Sequence, residues 1–416
     1  MNSPSTFVEI PSRSARRVAS RARRADRMPA LLGLKCGANA VLDRLSIMVI
    51  GVGAVGATAA LSLAHLFVGE LRLVDRGCFK PASLATQPII PSAIGRAKAS
   101  TIGRRCKQIS PRTRVLVFDG PLQQLTLGAL AGVHVVIVAG DNLTVLRDAG
   151  QRCQQLGLSL IHGAVYGEAL VAQCRTYSNN NPQSPCPVCL FGAEEFRMMD
   201  EERVLSCEGF RNPGAPADGQ SLQSTMSLRP LCAMAGEMAA LQAIRLALRL
   251  GSSVENTLLE VCAYTWRSHI TPLARNPMCP GAHEKFTVLS APRHLSDCSP
   301  GDLMRAAGLA ASVAPSASLT AEGFRWVERG LCGCSEPRAV NRLVLATQTK
   351  AGHCAKCAQP IHAQPFYSHD SIPFRLLEPF RERPLRALGA AGCRGVLVRH
   401  AEKTVLLTNP QRKVRA

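Results

Sequence analysis

Apolar residues in the first half of the chain fall in short dense runs, separated by stretches of helical length. Residues 45–50, 114–118, 134–139 and 159–162 read as buried strands. Helix-length segments at about 95–108, 122–130 and 143–156 lie between them, 168–177 reads as a further strand, and regular structure returns at 258–264. Residues 228–250 form a long helical stretch rich in small residues. This alternation predicts an α/β fold, a doubly wound, Rossmann-like and mainly parallel sheet with helices on both faces.

The texture changes at 178–225, which is rich in Asn, Pro, Gly and acidic residues and reads as a crossover segment. A Ser/Ala/Pro-rich stretch near 310–319 reads as part of a linker over 291–325. The last part, 326–416, predicts a small α+β module with a helix at 384–388 and strands at 395–399 and 404–408. The expected organisation is a basic arm (1–40), a nucleotide-binding domain (41–290), the linker, and the C-terminal module.

The run from Ile47 to Asp75 carries the densest information. An apolar strand meets Gly51, Gly53 and Gly56, then a small-residue helix, then a second strand ending in Asp75. Glycines at those spacings let the backbone turn, approach a phosphate and pack helix on sheet, while free N–H groups at the helix start favour an anion. An acidic residue ending the second strand is placed for ribose hydroxyls. Residues 45–69 carry no Asp, Glu, Lys or Arg, which by length alone suits a membrane span. The three glycines and the immediate second strand argue for a soluble βαβ unit instead.

Composition narrows the setting. The 416 residues are 46% hydrophobic, enough for a sizeable core, and the N-terminus shows no apolar secretory segment. The 17 cysteines cluster as CxxC and CxC pairs, which points to metal in a reducing cytosol rather than to disulfides. A formal charge of +20 attracts ATP, an acidic protein or nucleic acid without choosing among them. Aromatic residues are only 4%, which counts against single-strand binding by base stacking. Arg13, Arg16, Arg17, Arg21, Arg23, Arg24 and Arg27 make a basic arm, read first as a solvated face and second as a transit-peptide-like segment.

Two foursomes have ligand spacing. Cys186 and Cys189 with Cys279 and His283 suit tetrahedral zinc, and so do Cys332, Cys334, Cys354 and Cys357, whose two pairs resemble a zinc ribbon. Lys98, opening a helix, suits the β- and γ-phosphates as a point charge. Asp141 and Asn142 follow a buried strand at the sheet edge where ligands sit, and a carboxylate there suits Mg²⁺. The bland reading of Asp141 is a helix N-cap.

The order of the glycine loop, Leu73-Val74-Asp75, Gly95-Arg96-Ala97-Lys98-Ala99, the strand ending Ala139-Gly140-Asp141-Asn142 and the Cys186/Cys189 pair resembles the ubiquitin-activating-enzyme superfamily, in its bacterial ThiF/MoeB/HesA branch, over about residues 30–290. The resemblance implies ATP- and Mg²⁺-dependent adenylation of the C-terminal Gly-Gly of a ubiquitin-like or sulfur-carrier protein by a cytoplasmic homodimer. It places Gly51, Gly53 and Gly56 along the phosphates, Asp75 on the ribose, Lys98 on the phosphates and Asp141 at Mg²⁺ or the reaction centre. Gln87 matches a family glutamine. The chain departs from the pattern at Ser83, at Thr86 (a triphosphate-binding arginine in the family), at Gly77 (an acidic residue) and at the second cysteine pair, where Ala282 stands in the cysteine's place and His283 one residue on. Arg96 is positioned in sequence to compensate for Thr86, and an arginine of the N-terminal arm to reach a partner's site. Cys207 lies where relatives carry a thiol, although no neighbour lowers its pKa. Two rivals remain at this level: a catalytically weakened nucleotide-binding scaffold, and an NAD(P)- or FAD-dependent oxidoreductase.

Overall fold

The computed structural model describes residues 6–11, 38–140, 142–179, 181, 183–200, 228–251, 255–310, 316–334 and 337–410. These divide into a first unit (7–123 and 133–284) and a second unit (124–132 and 285–416, with the extreme N-terminus).

The first unit holds a nine-stranded sheet among the described residues. Its strands are β1 (Val8–Glu9), β2 (Ser46–Ile50), β3 (Glu70–Val74), β4 (Arg114–Phe118), β5 (Val135–Ala139), β6 (Ser159–Tyr166), β7 (Val171–Tyr177), β8 (Thr257–Cys262) and β9 (Arg267–Pro272), in the spatial order β1-β4-β3-β2-β5-β6-β7-β8-β9. Strands β4, β3, β2, β5 and β6 are parallel, while β1, β7, β8 and β9 run antiparallel to their neighbours. Helices α1 (Ala38–Arg44), α2 (Ala54–His65), α3 (Ser83–Thr86), α4 (Lys98–Ile109), α5 (Leu143–Leu156), α6 (Ala193–Asp200) and α7 (Arg229–Leu248) accompany it. From β2 the chain steps to β3 and β4 on one side and then to β5 on the other. That reversal opens a crevice beyond the ends of β2 and β5, where open α/β sheets bind ligands.

The apolar run 45–69 is therefore β2–α2–β3, with β2 fully buried on both faces. Helix α7 is long and apolar enough to cross a membrane by length and composition. Its small residues Cys232, Ala235, Ala239 and Ala243 are buried. A Cβ on Gly236 would lie 2.5 Å from the Val55 carbonyl oxygen, so α7 packs backbone-close on α2 as a core helix of this unit. Part of the expected solvated arm is structured: Val8–Glu9 pairs with the edge strand β4, and Arg114 bridges Glu9 (3.1 Å) and Glu70 (2.8 Å). The arginines at 13–27 lie outside the described residues.

The second unit carries β10 (Thr287–Ser290), α8 (Pro300–Ala306), β11 (Ser318–Ala321), β12 (Phe324–Leu331), β13 (Arg338–Leu345), β14 (Lys350–His353), β15 (Pro360–Ala363), β16 (Ser368–His369), β17 (Ile372–Pro373), α9 (Phe374–Leu377), β18 (Gly395–His400) and β19 (Lys403–Thr408). One sheet runs β10-β19-β18-β11-β17, and a second runs β13-β12-β15-β14 with β16 on β12. Three sequence expectations need correction here. The described residues of 291–325 are no linker: Leu295, Leu303, Met304, Leu319 and Ala321 are buried in the core of this unit, while residues 311–315 lie outside the described residues. Residues 384–388 form turns rather than a helix. The stretch 122–130 forms two 3₁₀ turns, and residues 124–132 belong to this second unit, because the Glu322 carboxylate accepts from the N–H groups of Leu127 (2.6 Å) and Gly128 (2.9 Å).

Candidate functional site

Three glycines shape the turn from β2 into α2, each for a different reason. Gly51 has φ +84°, and a Cβ there would lie 2.3 Å from the Ala139 carbonyl oxygen on β5. On Gly56 a Cβ would lie 1.9 Å from the Gly51 carbonyl oxygen, so helix and turn meet without room for a side chain. Gly53 faces open space, with nothing within 4 Å of its Cβ position. Helix α2 starts at Gly53 with no side-chain cap, so its first N–H groups are presented to an anion.

Asp75, just past β3, clamps this turn. One carboxylate oxygen accepts from the Val52 N–H (2.7 Å), the other from the Gly77 N–H (2.7 Å). Lys98 reaches the same place from α4, because the segment 77–98 closes on itself. Its N–H donates to the Gly77 carbonyl (2.9 Å), and the Phe79 N–H to that of Arg96 (3.0 Å). The stem of Lys98 flanks Gly77, with the ammonium 5.9 Å from the Phe79 ring centroid. A side chain on Gly77 would start 3.1 Å from Asp75 Oδ1 and 3.6 Å from Lys98 Cε, so the missing acidic residue would crowd the pair that is present. Asp75, Lys98 and the glycine turn are thus brought together.

The neighbouring segment differs. Ser83, Thr86 and Gln87 are buried, and the Thr86 hydroxyl has no hydrogen-bond partner among the described residues. Arg96 is exposed. Beyond β5, Asp141 lies outside the described residues. Asn142 takes the N-cap of α5, its Oδ1 accepting from the Val145 N–H (3.0 Å), so the capping role considered for Asp141 belongs to its neighbour.

One residue at this edge carried no sequence signal. His162 on β6, paired with Val138, is buried, and its Nε2 lies 3.2 Å from the Gly140 carbonyl oxygen. A carbonyl only accepts, so Nε2 carries the proton, and Nδ1 has no partner among the described residues. Burial above all, with Arg175 beside it, pulls the ring down to about 4 against the opposing pull of the Gly140 bond. A single histidine in an apolar strand is indistinguishable in sequence from a packed core residue.

The first metal candidate joins residues far apart in the chain. Cys186 and Cys279 sulfurs are 3.7 Å apart, Cys189 and Cys186 3.8 Å, and Cys189 Sγ lies 3.5 Å from His283 Nε2. A tetrahedral ion with Zn–S of about 2.3 Å and Zn–N of about 2.0 Å requires edges of roughly 3.8 Å (S···S) and 3.5 Å (S···N). The cluster therefore fits zinc. Burial and the neighbouring thiols push Cys186 up, a repulsion between thiolates that a dication relieves. N–H···S bonds from Cys186 to Cys189 (3.4 Å) and from Gly281 to Cys279 (3.4 Å) orient the sulfurs.

The second cluster sits in the second unit. Cys332 and Cys334 lie in the turn between β12 and β13, and Cys354 and Cys357 in the turn between β14 and β15. The four sulfurs lie within 4.8 Å of one another, with Cys334 and Cys354 4.0 Å apart. The N–H groups of Cys357 and Lys356 pull the Cys354 thiol down, while the hydrogen bond with Cys357 pushes Cys334 up, so the cluster favours a thiolate at Cys354 first. Two hairpin turns facing each other thus supply the pairs. Of the other thiols, Cys174 and Cys232 are buried core residues as expected, Cys262 is half-buried on β8, and Cys207 lies outside the described residues.

Residues 32–281 match the model of the ThiF family. The SAMP-activating enzyme E1 of Haloferax volcanii is 27% identical over 238 residues, 56% of this chain and 78% of that protein. The molybdopterin-synthase adenylyltransferase of Salmonella typhimurium is 25% identical over 258 residues, 62% of this chain and 94% of that protein. Among solved structures, E. coli MccB with succinimide is similar at 15% identity and a TM-score of 0.46, covering 59% of this chain and 68% of that one.

Proposed function

The chain belongs to the ThiF family, and we propose that it is an ATP-dependent adenylyltransferase acting on the C-terminal glycine of a ubiquitin-like or sulfur-carrier protein. The observation that carries this reading is the capless α2 N-terminus with Gly53 open in front of it, flanked by Asp75 and Lys98 at the switch point of the sheet. An oxidoreductase gives no reason for Lys98 or for the metal clusters, and the family match sets it aside.

In the reaction, a carboxylate oxygen of the carrier attacks the α-phosphorus of ATP. A C(O)–O–P bond forms, the bond to the β-phosphate breaks, and pyrophosphate leaves with its electron pair. The work of the protein is to hold the two reactants in line and balance charge. The glycine turn presents N–H groups to the phosphates, Lys98 adds a mobile positive charge, and Asp75 fixes the turn while keeping lone pairs for ribose hydroxyls. Asp141 would hold Mg²⁺, whose chemistry there is neutralisation of triphosphate oxygens. Arg96, exposed at the same loop, is the cation available where Thr86 replaces an arginine. The active form is a homodimer in the cytoplasm, and an arginine from the 13–27 arm completes the partner's site. Zinc at Cys186, Cys189, Cys279 and His283 braces the strand-rich edge of the first unit, and a second zinc at the other cluster holds the two hairpins of the second.

Carrier-dependent ATP–pyrophosphate exchange tests this. Lys98→Ala and Asp141→Ala should abolish exchange with the fold intact, whereas Asp75→Ala should also loosen the glycine turn and weaken ATP binding. Exchange that survives in both of the first two proteins would overturn the mechanism. Buried Thr86 and Ser83 favour one second reading, a scaffold that binds ATP without turning it over. ATP binding with no exchange across a panel of Gly-Gly carriers would select it.

A further inference from the structure

We propose that Gln154 is the positioning residue of the first metal centre, fixing the tautomer and orientation of His283 so that a three-cysteine, one-histidine set can hold its ion. The inference rests on the reading of that cluster as a metal site. Gln154 sits in the last turn of α5, is 8% exposed, and places its side-chain amide 2.8 Å from His283 Nδ1. His283 Nε2, the opposite ring nitrogen, faces Cys189 Sγ at 3.5 Å. An imidazole that gives Nε2 to a metal must carry its proton on Nδ1, and that N–H needs an acceptor. A half-turn of the Gln154 amide presents its carbonyl oxygen there, since amide oxygen and nitrogen occupy interchangeable positions.

Two further observations converge on the same role. His283 has φ +47°, an unfavourable conformation for a residue with a side chain, which persists where the surroundings over-determine it. Helix α5 also forms the floor of the cysteine turn: a Cβ on Gly150 would lie 2.8 Å from Pro187 Cδ, so α5 and the Cys186-Pro187-Val188-Cys189 turn meet without slack. Gln154, one turn further along α5, is therefore backed by a close helix-to-turn contact beside the cluster. A cysteine thiolate at the fourth position has no second nitrogen to satisfy, and a glutamine there would be unnecessary. His283 creates the need that Gln154 meets.

The experiment is chelator competition on the full-length protein loaded with Zn²⁺, with the Co²⁺-substituted visible spectrum as a second readout. Gln154→Met keeps the side-chain volume and removes the acceptor. It should weaken one of the two metal sites by about 10–100-fold, leave the other unchanged, and shift the Co²⁺ ligand-field bands of the weakened site. Gln154→Glu, which keeps an acceptor, should retain tight binding. Placed on a His283→Cys background, Gln154→Met should have no effect. Unchanged affinity in Gln154→Met, or equal weakening on the His283→Cys background, would overturn the inference and leave Gln154 a packing residue. A protein that loses no metal equivalent on Cys186→Ser would overturn the metal-centre reading itself.

Discussion

Replacing His162 by glutamine separates its charge from its hydrogen bond. The glutamine amide can still donate to the Gly140 carbonyl, but it does not titrate. In the folded chain the His162 ring is held down to about 4, against 6.5 when free. Between those values the unfolded chain binds more protons than the folded one, so stability falls as pH falls. The contribution is fully present above pH 6.5 and is lost progressively toward pH 4. Linkage puts the loss at about 2 kcal/mol by pH 5 and about 3 kcal/mol by pH 4. Urea unfolding of wild type and His162→Gln, followed by far-UV circular dichroism from pH 7.5 to pH 5, measures it as a changing gap between the two proteins. Acid loss of metal from the cysteine clusters is common to both and cancels. The wild type should lose about 2 kcal/mol more than the variant over that range. Parallel curves would refute the reasoning and place the ring in a more polar setting than its burial implies.

The glycine turn makes a contrast between neighbours. Gly51→Ala should cost at least about 1–2 kcal/mol from its positive φ alone, before the contact with Ala139, and lower the thermal midpoint. Gly53→Ala should leave stability nearly unchanged, because its Cβ meets nothing, yet weaken ATP binding measured by calorimetry, because in the proposed site the methyl group would stand where a phosphate approaches. For the second cluster, elemental analysis of reduced protein should find about two zinc ions per chain, and Cys354→Ser should lose one and destabilise the second unit. Retention of both ions in Cys354→Ser would remove that site.

Much of the first unit was legible in the sequence because its signals are local. A buried parallel strand must be an unbroken apolar run, a turn at positive φ must be glycine, and a zinc ligand pair must be closely spaced. Residues 114–118 and 143–156 accordingly match β4 and α5 to the residue. The second unit was less legible. Its segment 291–325 buries apolar residues thinly spread among Ser, Pro and Ala, so composition suggested a linker where packing makes a core. Residues 124–132 look like a continuation of the first unit, and it is the distant Glu322 carboxylate that takes the N–H groups of Leu127 and Gly128.

The site divides along the same line. The sequence alone determined which residue types are on offer for the proposed site: the three glycines, Asp75, Lys98 and the eight candidate metal ligands. Tertiary structure decided what they touch. Asp75 is shown to clamp the turn at Val52, and Gly77 to lie within contact distance of both Asp75 and Lys98. Gln154 and His162 emerge only as neighbours of residues 129 and 22 positions away. A hydrogen bond made by a side chain to a residue distant in sequence leaves no period and no spacing in the chain. It exists only once folding has brought the two segments together and burial has made an unpaired polar group costly.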